Sequence, residues 1–198
     1  MGKILIEESE KIRIKNLYNI SEQKWKQQQT WGPIPFKNKS PKLPMYKPLG
    51  LGGQISQQGL NLVKKHENFK PEEYICPSGK PTIGYGTRVD LNPELKGKKI
   101  SDEVATGYVR KEMNDVIIPF IGKNVKIPLI QPQLDALASL IYNIGTGNFK
   151  KSQLLNAINS NDEEGIKKNW EEFKLSKGRV LPGLEKRRED ELNLFFEK

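Results

Sequence analysis

Histidine and cysteine are nearly absent from this chain of 198 residues, with His66 the only histidine and Cys76 the only cysteine. A lone cysteine excludes a disulfide within the chain, and one imidazole with one thiol does not make a zinc site. The expectation is an activity without metal or other cofactor, with His66 as a packing or surface residue. Long apolar runs are also missing, and nothing approaches the roughly 18 residues that a membrane span needs. The opening Met1-Gly2-Lys3-Ile4-Leu5-Ile6 turns acidic at Glu7-Glu8 before a signal-peptide core can develop, so synthesis in the cytoplasm without a leader is expected. Ile6 occupies the position where a myristoylation motif needs Ser or Thr, and that reading fails.

Acidic residues are missing from a long stretch. Between Gln23 and Ile55 there are none, while six lysines appear and Pro33, Pro35, Pro41, Pro44 and Pro48 interrupt any regular element. This composition reads as an extended basic arm over 23–53, ending in the flexible Gly50-Leu51-Gly52-Gly53. Before it, Ile14, Leu17 and Tyr18 share one helical face, which predicts a short helix within 1–22. Residues 1–55 hold ten basic against four acidic side chains, and 56–198 hold 23 against 20, so the net charge of +9 is concentrated at the front. Such a surplus favours polyanions, whether nucleic acid or wall polymers, without choosing among them. Trp25, Trp31, Phe36 and Tyr46 in the arm have three readings: packing along the domain, docking to a partner, or stacking on sugars or bases. Packing or docking is the simpler account, because aromatic rings bury large areas.

From residue 54 onward the pattern changes. Ser56 is a good N-cap for a helix running to Asn68, with Leu60, Val63 and Glu67 along one side. Two short strand-like runs come next, joined by Pro77-Ser78-Gly79-Lys80. Ser101, with Asp102 and Glu103 in the first turn, opens a helix to about Ile118 whose core face is Val109, Met113 and Val116 and which is long enough to bridge two lobes. Pro132 starts an apolar helix through Leu134, Leu137, Ala138 and Ile141, closed by Gly145. Further helices are predicted at 151–159, 162–175 and 183–196. The fold class is α+β, mostly helical with one small antiparallel sheet.

Chemistry concentrates in Glu67, Cys76 and Thr82, which are separated by eight and then five residues. A helix end facing a hairpin makes a cleft with a proton donor on one side and a polar pair on the other. Glycosidic cleavage needs an acid for the leaving oxygen and a means of placing water at the anomeric carbon. At a helix C-terminus Glu67 meets the negative end of the dipole, and burial acts in the same direction; both favour the neutral acid. Taken singly, each residue has a plainer account: a solvated carboxylate, a small buried thiol and a β-branched strand residue.

Thr82-Ile83-Gly84-Tyr85-Gly86, Lys65-His66-Glu67, Tyr142-Asn143-Ile144-Gly145-Thr146-Gly147-Asn148-Phe149, Trp170 and Gly183-Leu184-Glu185-Lys186-Arg187-Arg188 stand in the order found in phage-type lysozymes. The segment 54–198 resembles glycoside hydrolase family 24, in the branch whose triad is Glu, then Asp or Cys, then Thr. The resemblance implies a two-lobed fold and an endolysin-type muramidase that cuts the β-1,4 bond between N-acetylmuramic acid and N-acetylglucosamine in peptidoglycan, with inversion. Glu67 would be the acid, with water held between Cys76, Thr82 and the sugar. Cys76 departs from the commoner Asp. A thiol of ordinary pKa, about 8.5, is mostly neutral at pH 7, so base, nucleophile and water holder all stay open as its role. Tyr85 would be core or cleft wall, while Asn143, Gly145 and Asn148 would line the far side of the groove and bind sugar. One of Arg187 and Arg188 would be an ion-pair partner supporting the cleft.

As a monomer without a leader, the protein would be released to the wall through membrane holes, or be carried on a virion by its arm, residues 1–55 then touching virion or wall polyanions. A non-enzymatic wall-binding virion protein on the same scaffold is the competing reading. Nucleic-acid binding through Lys24-Trp25-Lys26 and Trp31 ranks below both, because no nucleic-acid module is present.

Overall fold

Ser56 accepts the N–H of Gly59 at 3.2 Å and so caps the first helix, α1 (Gln57–His66). The computed structural model of the chain describes residues 53–76, 79–176 and 178–197. The short helix expected within 1–22 and nearly all of the basic arm, with its four aromatic residues, lie outside the described residues. So does the centre of the turn at 77–78.

After α1 the chain forms three antiparallel strands in the order β1 (Lys70–Ile75), β2 (Pro81–Gly84) and β3 (Thr87–Arg88). Tyr74 pairs with Thr82, and Thr82 pairs in turn with Arg88. Residues directly opposite in an antiparallel pair share a face, so these three side chains form a row across the sheet. Gly84 has φ of 68°, and a Cβ there would lie 2.9 Å from Cβ of Ala105, so the end of β2 presses onto the next helix where only glycine fits.

That helix, α2 (Asp102–Glu112), is capped by Ser101 and runs through a π-helical turn (Met113–Ile117) into α3 (Ile118–Asn124). The run links the sheet, against which α2 packs, to the helical part, against which α3 packs. The core face differs from expectation in one place. Val109 and Met113 are buried, but Val116 is 53% exposed and Ile117, 2% exposed, takes the inward position. A π turn inserts one residue into the helical register and rotates the residues beyond it, and Pro119, lacking an N–H, stands in the first turn of α3.

α4 (Gln131–Ile144) is the centre of the molecule. Every residue from Leu134 to Ile141 is buried, and α1 and α8 pack against it. A helix apolar on nearly all sides belongs in a core. Gly145, with φ of 83°, ends it. The chain continues with α5 (Thr146–Lys151), α6 (Gln153–Asn159), α7 (Glu163–Glu171), a small hairpin of β4 (Leu175–Ser176) and β5 (Arg179–Val180), and α8 (Pro182–Phe195). The predicted helix over 162–175 stops at Glu171 and gives way to a 3₁₀ turn (Glu172–Lys174) and the hairpin, whose bend uses Gly178. The helix predicted over 151–159 starts at Gln153, since Ser152 is extended. No described helix is long and apolar enough to cross a membrane.

Asp135 is wholly buried in α4, yet it accepts from Ser56 N at 3.0 Å, from Ser56 Oγ and from Gln131 Nε2 at 2.9 Å. This carboxylate fixes the start of α1 on α4, and the contact is close. A Cβ on Gly59 would come within 2.6 Å of Ile55 Cδ1 and 2.8 Å of Asp135 Cβ. Gly59→Ala is therefore expected to destabilise the fold by about 1–3 kcal/mol through overpacking, read as a lower urea midpoint at unchanged m-value.

Candidate active site

α1 ends one residue before Glu67, whose backbone is extended (φ −105°, ψ 127°) while its N–H still reaches Val63 O at 3.0 Å. The carboxyl is 25% exposed, and its Oε1 accepts from Arg187 Nη1 at 2.6 Å. Of the two candidate arginines, Arg187 is the one that reaches it. Glu67 is also close enough to Tyr74 and Tyr142 for its charge to bear on both phenols.

Arg187 does not stand alone. It is 2% exposed, and its Nε donates to Glu191 Oε1 at 3.1 Å and its Nη2 to the carbonyl of Ser139 at 3.3 Å. Glu191, wholly buried, also accepts from Ser139 Oγ at 2.7 Å, from Trp170 Nε1 at 3.1 Å and from Arg188 Nη2 at 3.2 Å. Nε of Arg188 lies 2.9 Å from Glu191 Oε2, a charge contact without the alignment of a hydrogen bond. Burial brings the Arg188 guanidinium down to about 10, with Glu191 opposing, so it remains charged at neutral pH. Sequence reasoning does not single out Glu191; its signal is an acid one helical turn after two adjacent arginines.

The sheet carries Thr82, with Cys76 directly after β1. Thr82 is 3% exposed and donates its hydroxyl to the Lys80 carbonyl at 3.0 Å. Cys76 is half-buried at the end of β1; its N–H bonds Lys80 O at 2.9 Å and its carbonyl accepts from Gly79 N at 2.8 Å. Two neighbours are absent from the sequence reading. Tyr74 shares Thr82's face, and its phenol is pushed up by burial and then by the charges of Glu67 and Cys76. Arg88, on the other flank of Thr82, is held by both carboxylate oxygens of Asp90 and lies near enough to Cys76 for their charges to interact. The period-two alternation through Tyr74 and Cys76 is the signal that points to the first.

The other expected residues have distinct places. Tyr85 is 5% exposed, hydrogen bonded to Asp102, with its ring tilted against that of Phe69 at 5.3 Å between centroids. Its carbonyl accepts from Tyr142 O–H at 2.9 Å, tying the end of α4 to the sheet. Asn143 is exposed and its Oδ1 accepts from Arg188 Nη2 at 3.2 Å. Asn148, also exposed, spends its Nδ2 on Ile144 O at 2.8 Å, and Gly145 lies exposed between them. A separate cavity of about 550 Å³ lies between the 172–174 turn and α8, but Glu67, Cys76 and Thr82 are not in its wall.

Residues 64–191 match the Phage lysozyme family. The chain belongs to that family. It is 37% identical over 145 residues to an endolysin of Acyrthosiphon pisum secondary endosymbiont phage 1, covering 71% of this chain and 97% of that one. A Bacillus phage B103 endolysin is 36% identical over 72% of this chain, which spans only 54% of that relative. Among solved structures, the endolysin from Escherichia coli O157:H7 phage FAHEc1 aligns with a TM-score of 0.64 at 31% identity, over 73% of this chain and 94% of that one. The muramidase domain of SpmX from Asticaccaulis excentricus aligns with a TM-score of 0.65 at 28% identity, over 73% and 99%. The phage lysozymes share the mostly helical fold with its small three-stranded sheet.

His66, next to Glu67 in the chain, is half-buried with Nε2 at 2.8 Å from Asp190 Oδ2. Burial, then the Arg187 charge, lowers its pKa, and Asp190 only partly offsets them. The unfolded imidazole, with a pKa of about 6.5, therefore takes up its proton at higher pH than the folded one. Stability is expected to fall as pH drops through about 6.5 towards the lower folded value. In His66→Gln the urea midpoint should be flatter between pH 7 and 5.5 than in wild type.

Proposed function

We infer that the protein is a muramidase that hydrolyses peptidoglycan, cutting the β-1,4 bond between N-acetylmuramic acid and N-acetylglucosamine. One observation carries this: a carboxyl at the end of α1, gripped by a buried arginine, stands by a sheet face bearing a thiol and a hydroxyl. Glu67 gives its proton to the glycosidic oxygen as the bond to the anomeric carbon breaks. Thr82 has committed its own hydrogen to Lys80 O, so towards a water it acts as an acceptor. A water donating to Thr82 Oγ1 keeps a lone pair for the anomeric carbon, and its departing proton passes to Cys76 in its ionised form, the thiolate becoming the thiol. Attack from the face opposite the leaving oxygen inverts the anomeric centre. Exposed Asn143, anchored through Arg188, is the candidate for contact with an N-acetyl group. The wall is the substrate, reached from the host cytoplasm at lysis or from a virion.

The test is hydrolysis of purified wall, with product analysis, by wild type and folded Glu67→Gln, Cys76→Ser and Cys76→Asp. Glu67→Gln is expected to lose about 10²–10⁴-fold in rate, Cys76→Ser to lose activity, and Cys76→Asp to keep or regain it. The first-formed sugar should be the α-anomer by NMR. Wall binding without cleavage by wild type would instead favour a structural virion protein, and full activity in Cys76→Ser would reduce the thiol to packing.

A further inference from the structure

We propose that Glu191 is a positioning residue for this hydrolysis, seating Arg187 so that Nη1 is presented to the Glu67 carboxyl. The inference rests on Glu67 as the acid. Three contacts define the pose of the Arg187 guanidinium: Nε on Glu191, Nη2 on the Ser139 carbonyl and Nη1 on Glu67. Only the first two belong to the protein interior, and only Glu191 carries charge. Glu191 is in turn held by Ser139 Oγ and Trp170 Nε1, donors from two other helices that leave its carboxylate little freedom.

Glu191 also sets the electrostatics of the acid. Arg187 and Arg188 bring two positive charges and Glu191 one negative, so a single surplus positive charge faces Glu67. Without the Glu191 charge the surplus doubles, and the proton Glu67 must donate is held less firmly. The other charged or titratable groups coupled to this cluster are His66 with Asp190, Tyr74 with Cys76 on the sheet, and Tyr142 with Glu112 from α4 and α2. None of them is buried in contact with both arginines as Glu191 is.

The test compares wild type, Glu191→Gln and Glu191→Asp by ¹³C NMR titration of the Glu67 carboxyl and by the pH profile of kcat on soluble wall fragments. In Glu191→Gln the Glu67 midpoint and the alkaline limb should both move to lower pH. Glu191→Asp keeps the charge but shortens the reach; it should hold the midpoint while kcat falls. A folded Glu191→Gln with wild-type titration and kcat would overturn the proposal. Should Glu191→Gln not fold, Ser139→Ala frees one donor without changing charge: a several-fold fall in kcat at unchanged KM supports the seating role, and an unchanged kcat overturns it. If wild type does not cleave wall, the functional reading fails, while the NMR titration still decides whether Glu191 governs Arg187 and Glu67.

Discussion

Glu191 shares two carboxylate oxygens among Arg187, Arg188, Ser139 and Trp170, with no water surface of its own. Burying charge is costly, and such a cluster persists only when the geometry satisfies it. Here the donors come from separate parts of the chain: Ser139 from α4, Trp170 from α7 and both arginines from α8, with Glu67 at the end of α1. Removing one partner would strand another in the interior at a cost of about 3–5 kcal/mol. The Glu67 carboxyl is thus placed only once four helices have assembled. Its position depends on the whole helical part rather than on any local motif.

α4 makes that assembly possible by being apolar almost all round and polar at two places on one face. Asp135 and Ser139 are four residues apart, hence neighbours on the helix surface. Asp135 pins the N-terminal end of α1 through Ser56, and Ser139 joins the cluster that holds the C-terminal end through Arg187. Both buried polar side chains are satisfied by hydrogen bonds, which is the condition for tolerating them in a core. The result is a helix fixed at each end against the same face, so that the last turn of α1 delivers Glu67 with little play.

The legible parts of the sequence are those governed by short-range rules. Ser56 and Ser101 announce helix starts because their hydroxyls cap the backbone three residues on, and Gly145 announces a helix end because its positive φ suits glycine. The inward face past Met113 is not legible, because a π turn depends on how α2 and α3 fit the surrounding core, which periodicity does not encode. The 175–180 hairpin reads as the end of a helix because two-residue strands leave too little alternation to recognise. At the site, the spacing of Glu67, Cys76 and Thr82 is visible in the sequence, but the choice of Arg187 over Arg188 is not. Adjacent helix residues point about 100° apart, and only the packing of α8 decides which one turns towards α1. Tyr74 and Arg88 join Thr82 through strand register, which becomes explicit only with the bulge between Lys70 and Tyr74 in place.

The sulfur at position 76 gives this site a chemistry unlike that of a pair of carboxylates. A carboxylate there would bring a fixed negative charge to an emerging oxocarbenium ion; a thiol brings charge only when ionised. The surroundings of Cys76 bear on that condition from both sides. Arg88 interacts favourably with a thiolate, but its guanidinium is already engaged by Asp90, so much of its field is cancelled nearby. Thr82, with its proton committed to the Lys80 carbonyl, can accept a hydrogen bond from a water but has no proton of its own left to give to one. In the proposed reaction the water's proton would go to the sulfur as its thiolate, which becomes the thiol, late in the reaction, when positive charge on the sugar has made the water more acidic.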